Sequence, residues 1–267
     1  MDRMAMGRAQ HKVQVDMSHR YGNLLVHDRL QFSVCENEFL CICGPSGCGK
    51  TTLLDILAGI LLPSEGIVLI DGRAVDPKRD RISFVFQEPS TFPWLNVWDN
   101  VATGLRIKGI RGEELQRRVN EIIDLVNLRD FAAYYPHQIS GGMKQRVAIA
   151  RAFATDADLI LMDGLDQPTR ERMQREVLHT WERRRHTVVF VTHNLEEAVF
   201  LGDRVIVLCA KPARIAADIP VPLLRPRDPL SAEFTSLRAQ CASILHSLDP
   251  TQDSSSDHTM VEPAKLS

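Results

Sequence analysis

The segment Gly44-Pro45-Ser46-Gly47-Cys48-Gly49-Lys50-Thr51-Thr52 constrains this chain more than any other stretch. It follows the apolar run Phe39–Cys43, which reads as a buried strand, and opens Lys50–Leu57, which reads as a helix. Glycines let the backbone turn tightly and aim its N–H groups inward. The free N–H groups and positive dipole end of the following helix add to that pull on an anion. Lys50 supplies charge for β- and γ-phosphates, and Thr51 a hydroxyl for Mg²⁺. The stretch Gly44 to Thr52 therefore reads as a nucleotide-phosphate cradle, with a nucleoside triphosphate and Mg²⁺ as the expected ligands.

The surrounding pattern agrees with such a core. Short apolar runs read as strands at Ile67–Ile70, Ile82–Phe86, Leu159–Met162, Val188–Val191 and Val205–Leu208. Several are apolar throughout, as expected of parallel strands covered on both faces. Helix-like stretches alternate with them at Gly112–Asn127, Gly142–Ala154, Pro168–Arg184 and Leu195–Leu201, which is an α/β pattern. Between Glu88 and Tyr135 the pattern turns mostly helical. After Pro220 it becomes rich in Pro and Arg, then helical again over Ser231–Leu248, and the Ser- and Asp-rich end reads as disordered.

Composition excludes several classes. With 267 residues, 44% hydrophobic and 25% charged, the chain can bury a full core without disulfides or metal. A net charge of -2 makes no case for nucleic acid. No apolar run reaches the roughly 18 residues of a membrane span, and Met1 to Lys12 lacks the apolar region of a signal peptide. The six cysteines have no zinc spacing. Cys41 and Cys43 should point to one face of their strand as buried thiols, while Cys48 lies inside the phosphate loop, where oxidation or alkylation is conceivable.

Asp163 closes the run Leu159-Ile160-Leu161-Met162, where a carboxylate at a strand's end can hold Mg²⁺ through water; a turn or cap aspartate is the plainer reading. Ser140-Gly141-Gly142 opens another helix and reads either as a plain helix cap with flexible glycines or as a second anion site. One chain has no need of two such sites for one nucleotide. Two chains packed head to tail do, each ATP lying between one phosphate loop and the other chain's serine-glycine loop.

With these residues in hand, the chain resembles an ABC-transporter ATPase subunit over nearly all of residues 10 to 245. Ile139-Ser140-Gly141-Gly142-Met143 is similar to the family signature Leu-Ser-Gly-Gly-Gln, departing at Ile139 and Met143 with the Ser-Gly-Gly core intact. The resemblance implies a fold with a P-loop NTPase core, an N-terminal antiparallel β portion and an inserted helical subdomain. It implies an ATPase domain over 10–225 with the helical subdomain at about 88–155, a helical extension over 226–248 and a tail over 249–267. Gln87 would sense metal and attacking water, His193 would contact the γ-phosphate, and Tyr21 would stack on adenine. Their plain alternatives are a strand-end glutamine, a helix-capping histidine and a core tyrosine. Implied partners are a second ATPase subunit (homodimer or heterodimer), membrane permease subunits and a periplasmic solute-binding protein. The implied location is peripheral, on the cytoplasmic face of the membrane.

Thr91 to Val101 is similar to the subgroup serving nitrate, sulfonate and taurine importers, as are Ile219 to Leu223 and the Phe234/Leu237 stretch. Phe92, Trp94 and Trp98 then either anchor a permease helix or pack the helical subdomain internally. One departure stands out. The family continues after its metal aspartate with Glu-Pro-Phe-Gly-Ala-Leu-Asp, whereas this chain reads Asp163-Gly164-Leu165-Asp166. The glutamate that polarises water is missing, which typically costs on the order of 10²- to 10⁴-fold in rate. The loop is also about four residues shorter, up to roughly 13 Å of extended chain. Asp166 either caps the next helix or keeps a cross-dimer contact. The chain either hydrolyses slowly, pairs with a complete partner, or uses Glu171 as a substitute.

Overall fold

Strict alternation builds the first layer. β1 (His11–Tyr21) buries Val13, Val15, Met17 and His19, exposes Gln14 and Asp16 and leaves Ser18 half-buried between them. It pairs antiparallel with β2 (Leu24–Cys35) on one side and β4 (Glu65–Ile70) on the other. β5 (Arg73–Ala74) completes a sheet of order β2-β1-β4-β5. The computed structural model describes residues 11–164 and 170–247, with the backbone alone at 170–172 and 246.

The second sheet has six strands in the order β10-β9-β3-β8-β7-β6. β3 (Phe39–Cys43), β6 (Ile82–Val85), β7 (Leu159–Asp163), β8 (Val188–Thr192) and β9 (Arg204–Leu208) run parallel, and β10 (Ile215–Pro220) returns antiparallel at the edge. The unbroken apolar runs of the sequence are explained by two separate cores. Phe39, Cys41, Cys43, Ile160, Met162, Val188 and Phe190 face the helical side, and Leu40, Ile42, Leu159, Leu161, Val189 and Val191 face α1 (Lys50–Leu57) and the antiparallel sheet. Cys41 and Cys43 do share a face.

The helical side contains α2 (Val97–Ile107), α3 (Gly112–Leu125) and α4 (Gly141–Ala154). α2 starts where Asn96 Oδ1 accepts from the Asp99 N–H at 2.7 Å, and it buries Val97, Val101 and Leu105 at helical spacing. α5 (Arg170–Arg184), α6 (Leu195–Leu201) and α7 (Ala232–Ser247) complete the chain. Among the described residues no helix is long and apolar enough to cross a membrane.

The expected elements shift at their edges for local reasons. The Ile82–Phe86 run stops pairing at Val85, leaving Phe86 exposed. The Gly112–Asn127 helix ends at Leu125 because Asn127 adopts a left-handed φ of 55°. Leu165, Asp166, Pro168 and the 249–267 tail lie outside the described residues, as does the side chain of Glu171.

Candidate nucleotide site

Four adjacent parallel strands end on one edge, and each delivers one part of the site. The phosphate loop follows β3, His193 follows β8, Asp163 and Gly164 end β7, and Gln87 lies two residues beyond β6. Register confirms the alignment: Cys43 pairs with Thr192, and Asp163 with Val191. The carboxyl edge of an open parallel sheet is where such folds collect ligands.

The loop turns through two left-handed glycines, Gly47 (φ 76°) and Gly49 (φ 99°). Gly49 is the N-cap of α1 and offers no side chain, and the first turn holds no acidic residue. Among the described residues no side chain caps the amides at this helix end, which suits an anion. Lys50 Nζ donates to the carbonyls of Gly44 and Pro45, each at 2.8 Å, holding the ammonium across the loop. Pro45, Ser46 and Gly47 are exposed, whereas Cys48 is buried beneath them. Burial raises the Cys48 thiol, partly offset by the nearby Lys50 charge, and burial pushes Cys43 up to about 12. Both stay neutral thiols, and burial limits access to Cys48.

Thr51 Oγ1 donates to Asp163 Oδ2 at 2.8 Å, across 112 residues of sequence. A hydroxyl beside a carboxylate is an all-oxygen donor set of the kind that fits Mg²⁺. The Asp163 charge also reaches Asp55, whose pKa is raised first by burial and then by Asp163. Gly164 follows with φ 61°, its N–H donating to Val191 O at 2.9 Å. A Cβ on Gly164 would stand 3.6 Å from Gln87 Cγ, so Gln87 borders this turn.

His193 is exposed on a pinned turn. Thr192 Oγ1 donates to Glu197 Oε2 at 2.5 Å and accepts from the Asn194 N–H at 3.0 Å. Asn194 then caps α6 by accepting from the N–H groups of Glu196 and Glu197, so the capping role falls to Asn194 and His193 stays clear of it. Tyr21 is 51% exposed, which removes the core-tyrosine alternative, and its ring meets His19 edge-on at 4.8 Å.

Ser140 caps α4, its Oγ accepting from the Met143 N–H at 3.3 Å. Among the described residues no hydrogen bond joins Ser140, Gly141 or Gly142 to the phosphate loop of the same chain. Two contacts here are not legible in sequence. Gln145, fully buried on α4, donates to the Phe86 carbonyl at 3.3 Å and so ties the serine-glycine helix to the segment that carries Gln87. His27, on β2, sits at 3.0 Å from the Gly49 carbonyl.

The aromatic segment divides between the two expected roles. Trp98 Nε1 donates to Asn120 Oδ1 at 3.0 Å under the Arg106 guanidinium, and Phe92 lies beneath Arg151, so both are partly engaged within the helical side. Trp94 is 71% exposed. A groove of about 330 Å³ opens beside them, with Phe84, Phe92, Ile107, Lys108 and Arg151 in its wall.

Known proteins carry the same pattern. The ABC transporter family matches residues 27–170. An uncharacterized ABC transporter ATP-binding protein of Methanocaldococcus jannaschii is 48% identical over 223 residues, covering 82% of this chain and 83% of the relative. The taurine import ATP-binding protein of Rhizobium johnstonii is 43% identical over 245 residues (86% and 93%), and the aliphatic sulfonates import ATP-binding protein of Bacillus thuringiensis 39% over 227 (84% and 89%). A dimeric ATP-binding cassette in a post-hydrolysis state, bound to ADP and Pi, superposes with a TM-score of 0.67 at 33% identity over 79% of this chain and all of that one. The phosphate loop, the carboxyl-edge constellation and these relatives together establish that the chain belongs to the ABC transporter family, as an ABC-type ATPase of the ATP-binding kind.

Proposed function

We propose that the chain energises import of a small solute such as taurine, a sulfonate or nitrate. In this reading it sits as a peripheral subunit on the cytoplasmic face of a membrane permease served by a periplasmic solute-binding protein. The names of the taurine and sulfonate relatives support the importer class. The observation that carries the nucleotide chemistry is the Thr51–Asp163 pair at 2.8 Å beside Lys50. Thr51 and Asp163 would hold Mg²⁺, with Gln87 at its edge. The ion supplies charge neutralisation of the phosphates when bound. Lys50 and the loop amides of Gly44–Thr52 bind and orient the triphosphate, Tyr21 offers its exposed ring to adenine, and His193 faces the γ-phosphate end.

Two subunits complete the site in this reading. A Cβ on Gly141 would meet nothing within 4 Å in its own chain, so the chain's own packing makes no demand for a glycine there. Close approach of a partner's nucleotide does. The groove walled by Phe92, together with the exposed Trp94 whose ring lies 5.7 Å from that of Phe92, is the surface for the permease, since an exposed apolar anchor is what an interface core requires.

A second reading has its own observation. Gly164 has no carboxylate, and its left-handed φ of 61° strains any side chain placed there. Turnover is then slow, and the chain acts as an ATP-dependent dimerisation or regulatory module, or beside a complete partner. ATP titration and hydrolysis by the purified protein, with Lys50→Ala as control, separate the two. Lys50-dependent turnover at ordinary ATPase rates supports the importer motor acting alone. Tight binding with turnover reduced by two or more orders of magnitude supports the module. Absence of ATP binding overturns both.

A further inference from the structure

His27 is fully buried, and it lies on β2 outside the phosphate loop. Its Nε2 is 3.0 Å from the Gly49 carbonyl, the residue on which the loop turns into α1. An oxygen accepts only, so Nε2 carries the proton and donates. Burial lowers the His27 pKa, followed by a smaller opposing effect of the Gly49 bond and a like-charge effect of His19. The ring is thus a neutral donor, with Nδ1 buried and without a hydrogen-bond partner. The fit is close: a Cβ on Gly49 would stand 2.7 Å from His27 Nε2 and 2.6 Å from Val26 Cγ1. Val26 and Asp28 on either side are themselves fixed, by the Ala213 N–H donating to Val26 O at 2.8 Å and the Asp28 N–H donating to Ala213 O at 3.0 Å.

The same histidine faces the other end of the nucleotide site. His19 is its direct cross-strand partner, with ring centroids 6.5 Å apart, and His19 meets the exposed Tyr21 ring at 4.8 Å. His19 Nδ1 is also 3.4 Å from Ser64 Oγ, at the entry to β4. A line of rings therefore runs from Tyr21 through His19 and His27 to the backbone of the phosphate loop.

We propose that His27 is a positioning residue for ATP: by donating to the Gly49 carbonyl it holds the phosphate loop in its anion-binding turn and, through His19, in register with Tyr21. The proposal rests on the nucleotide site described above. The Leu53 N–H also donates to the Gly49 carbonyl at 2.9 Å, so a side chain without a donor at position 27 leaves that carbonyl held by α1 alone. The start of the helix then loses its tie to β2, and the N–H groups of Lys50 and Thr51 lose a fixed aim. Neither His27 nor His19 touches the phosphates in this account; they act through Gly49 and Tyr21.

The test is a matched pair, His27→Gln and His27→Met, which have similar volumes and differ in whether a donor remains. ATP affinity is titrated in the presence of Mg²⁺ on full-length protein, alongside thermal unfolding without nucleotide and the KM and kcat of any hydrolysis. His27→Met is expected to weaken ATP binding about tenfold, by analogy with the loss of one buried hydrogen bond, and to raise KM more than it lowers kcat. His27→Gln is expected to restore most of that affinity although both variants lose similar thermal stability. Equal ATP affinity in the two variants overturns the proposal, and so does loss of folding in both, since His27 would then be a packing residue. If the wild-type protein and Lys50→Ala alike fail to bind ATP, it is the nucleotide reading that falls, and the inference falls with it.

Discussion

The two glycine loops each open a helix and are supported in opposite ways. The phosphate loop is braced by its own chain. Lys50 spans it, Cys48 fills the space below, and Gly49 rests against Val26 and His27. Among the described residues the Ser140–Gly142 loop bonds only to its own helix, the Met143 N–H donating to Ser140 Oγ and the Lys144 N–H to Ser140 O, with open space beside Gly141. A braced loop is a finished half-site whose demands are met inside one fold. In the open one, the packing of the chain itself makes no demand for a glycine at 141.

Substitutions on each side probe this contrast. The largest effect is expected from Gly49→Ala, because φ is 99° and the new methyl would stand 2.6 Å from Val26 Cγ1. It should cost about 2–4 kcal/mol of stability by strain and overpacking, measured by denaturant unfolding, and abolish ATP binding. Lys50→Ala should leave the fold intact and weaken ATP binding roughly 10- to 100-fold, the worth of one charge-assisted contact, as read by titration.

Asp158 serves as a reference outside both loops. It joins Arg81 and Lys12, and the Arg81 hydrogen bonds, with Lys12 adding to them, hold its carboxyl down at about 2. A depressed carboxyl contributes stability above its unfolded pKa of about 4, and that contribution is lost as pH falls through the folded value. Asp158→Asn should therefore cost about 1 kcal/mol at neutral pH, allowing for solvent screening. Its gap to wild type should close between about pH 4 and pH 2, with no change in nucleotide affinity. A gap that persists at pH 2 would place the effect in packing instead.

Gly141→Ala should change the monomer least, within about 0.5 kcal/mol, since the space is open and φ is not left-handed. Its effect should appear only in ATP-dependent association, by sedimentation or light scattering. Equal loss of monomer stability in Gly49→Ala and Gly141→Ala would end the distinction between a braced and an open loop.

Much of this architecture was legible before any fold was known, and the exceptions share a cause. The β3 and α1 bounds read from sequence coincide with those observed, because an apolar run and a glycine loop are local signals. α2 was not resolved as a separate helix within the mostly helical stretch, and its start depends on Asn96 capping, a one-residue event. The division of Phe92, Trp94 and Trp98 between packing and exposure was likewise open. It turns on Asn120, Arg106 and Arg151, which come from α3, α2 and α4.

The sequence by itself determined the backbone geometry of the phosphate loop, the double-faced burial of the parallel strands and the absence of a carboxylate at position 164. Each follows from residue type and spacing within one short window. Only the tertiary structure decided that Thr51 meets Asp163, that Gly164 turns left-handed beside Gln87, and that an isolated strand histidine lies under Gly49. Those contacts depend on which strands become neighbours and in what register, and strand order is set by the packing of the whole chain.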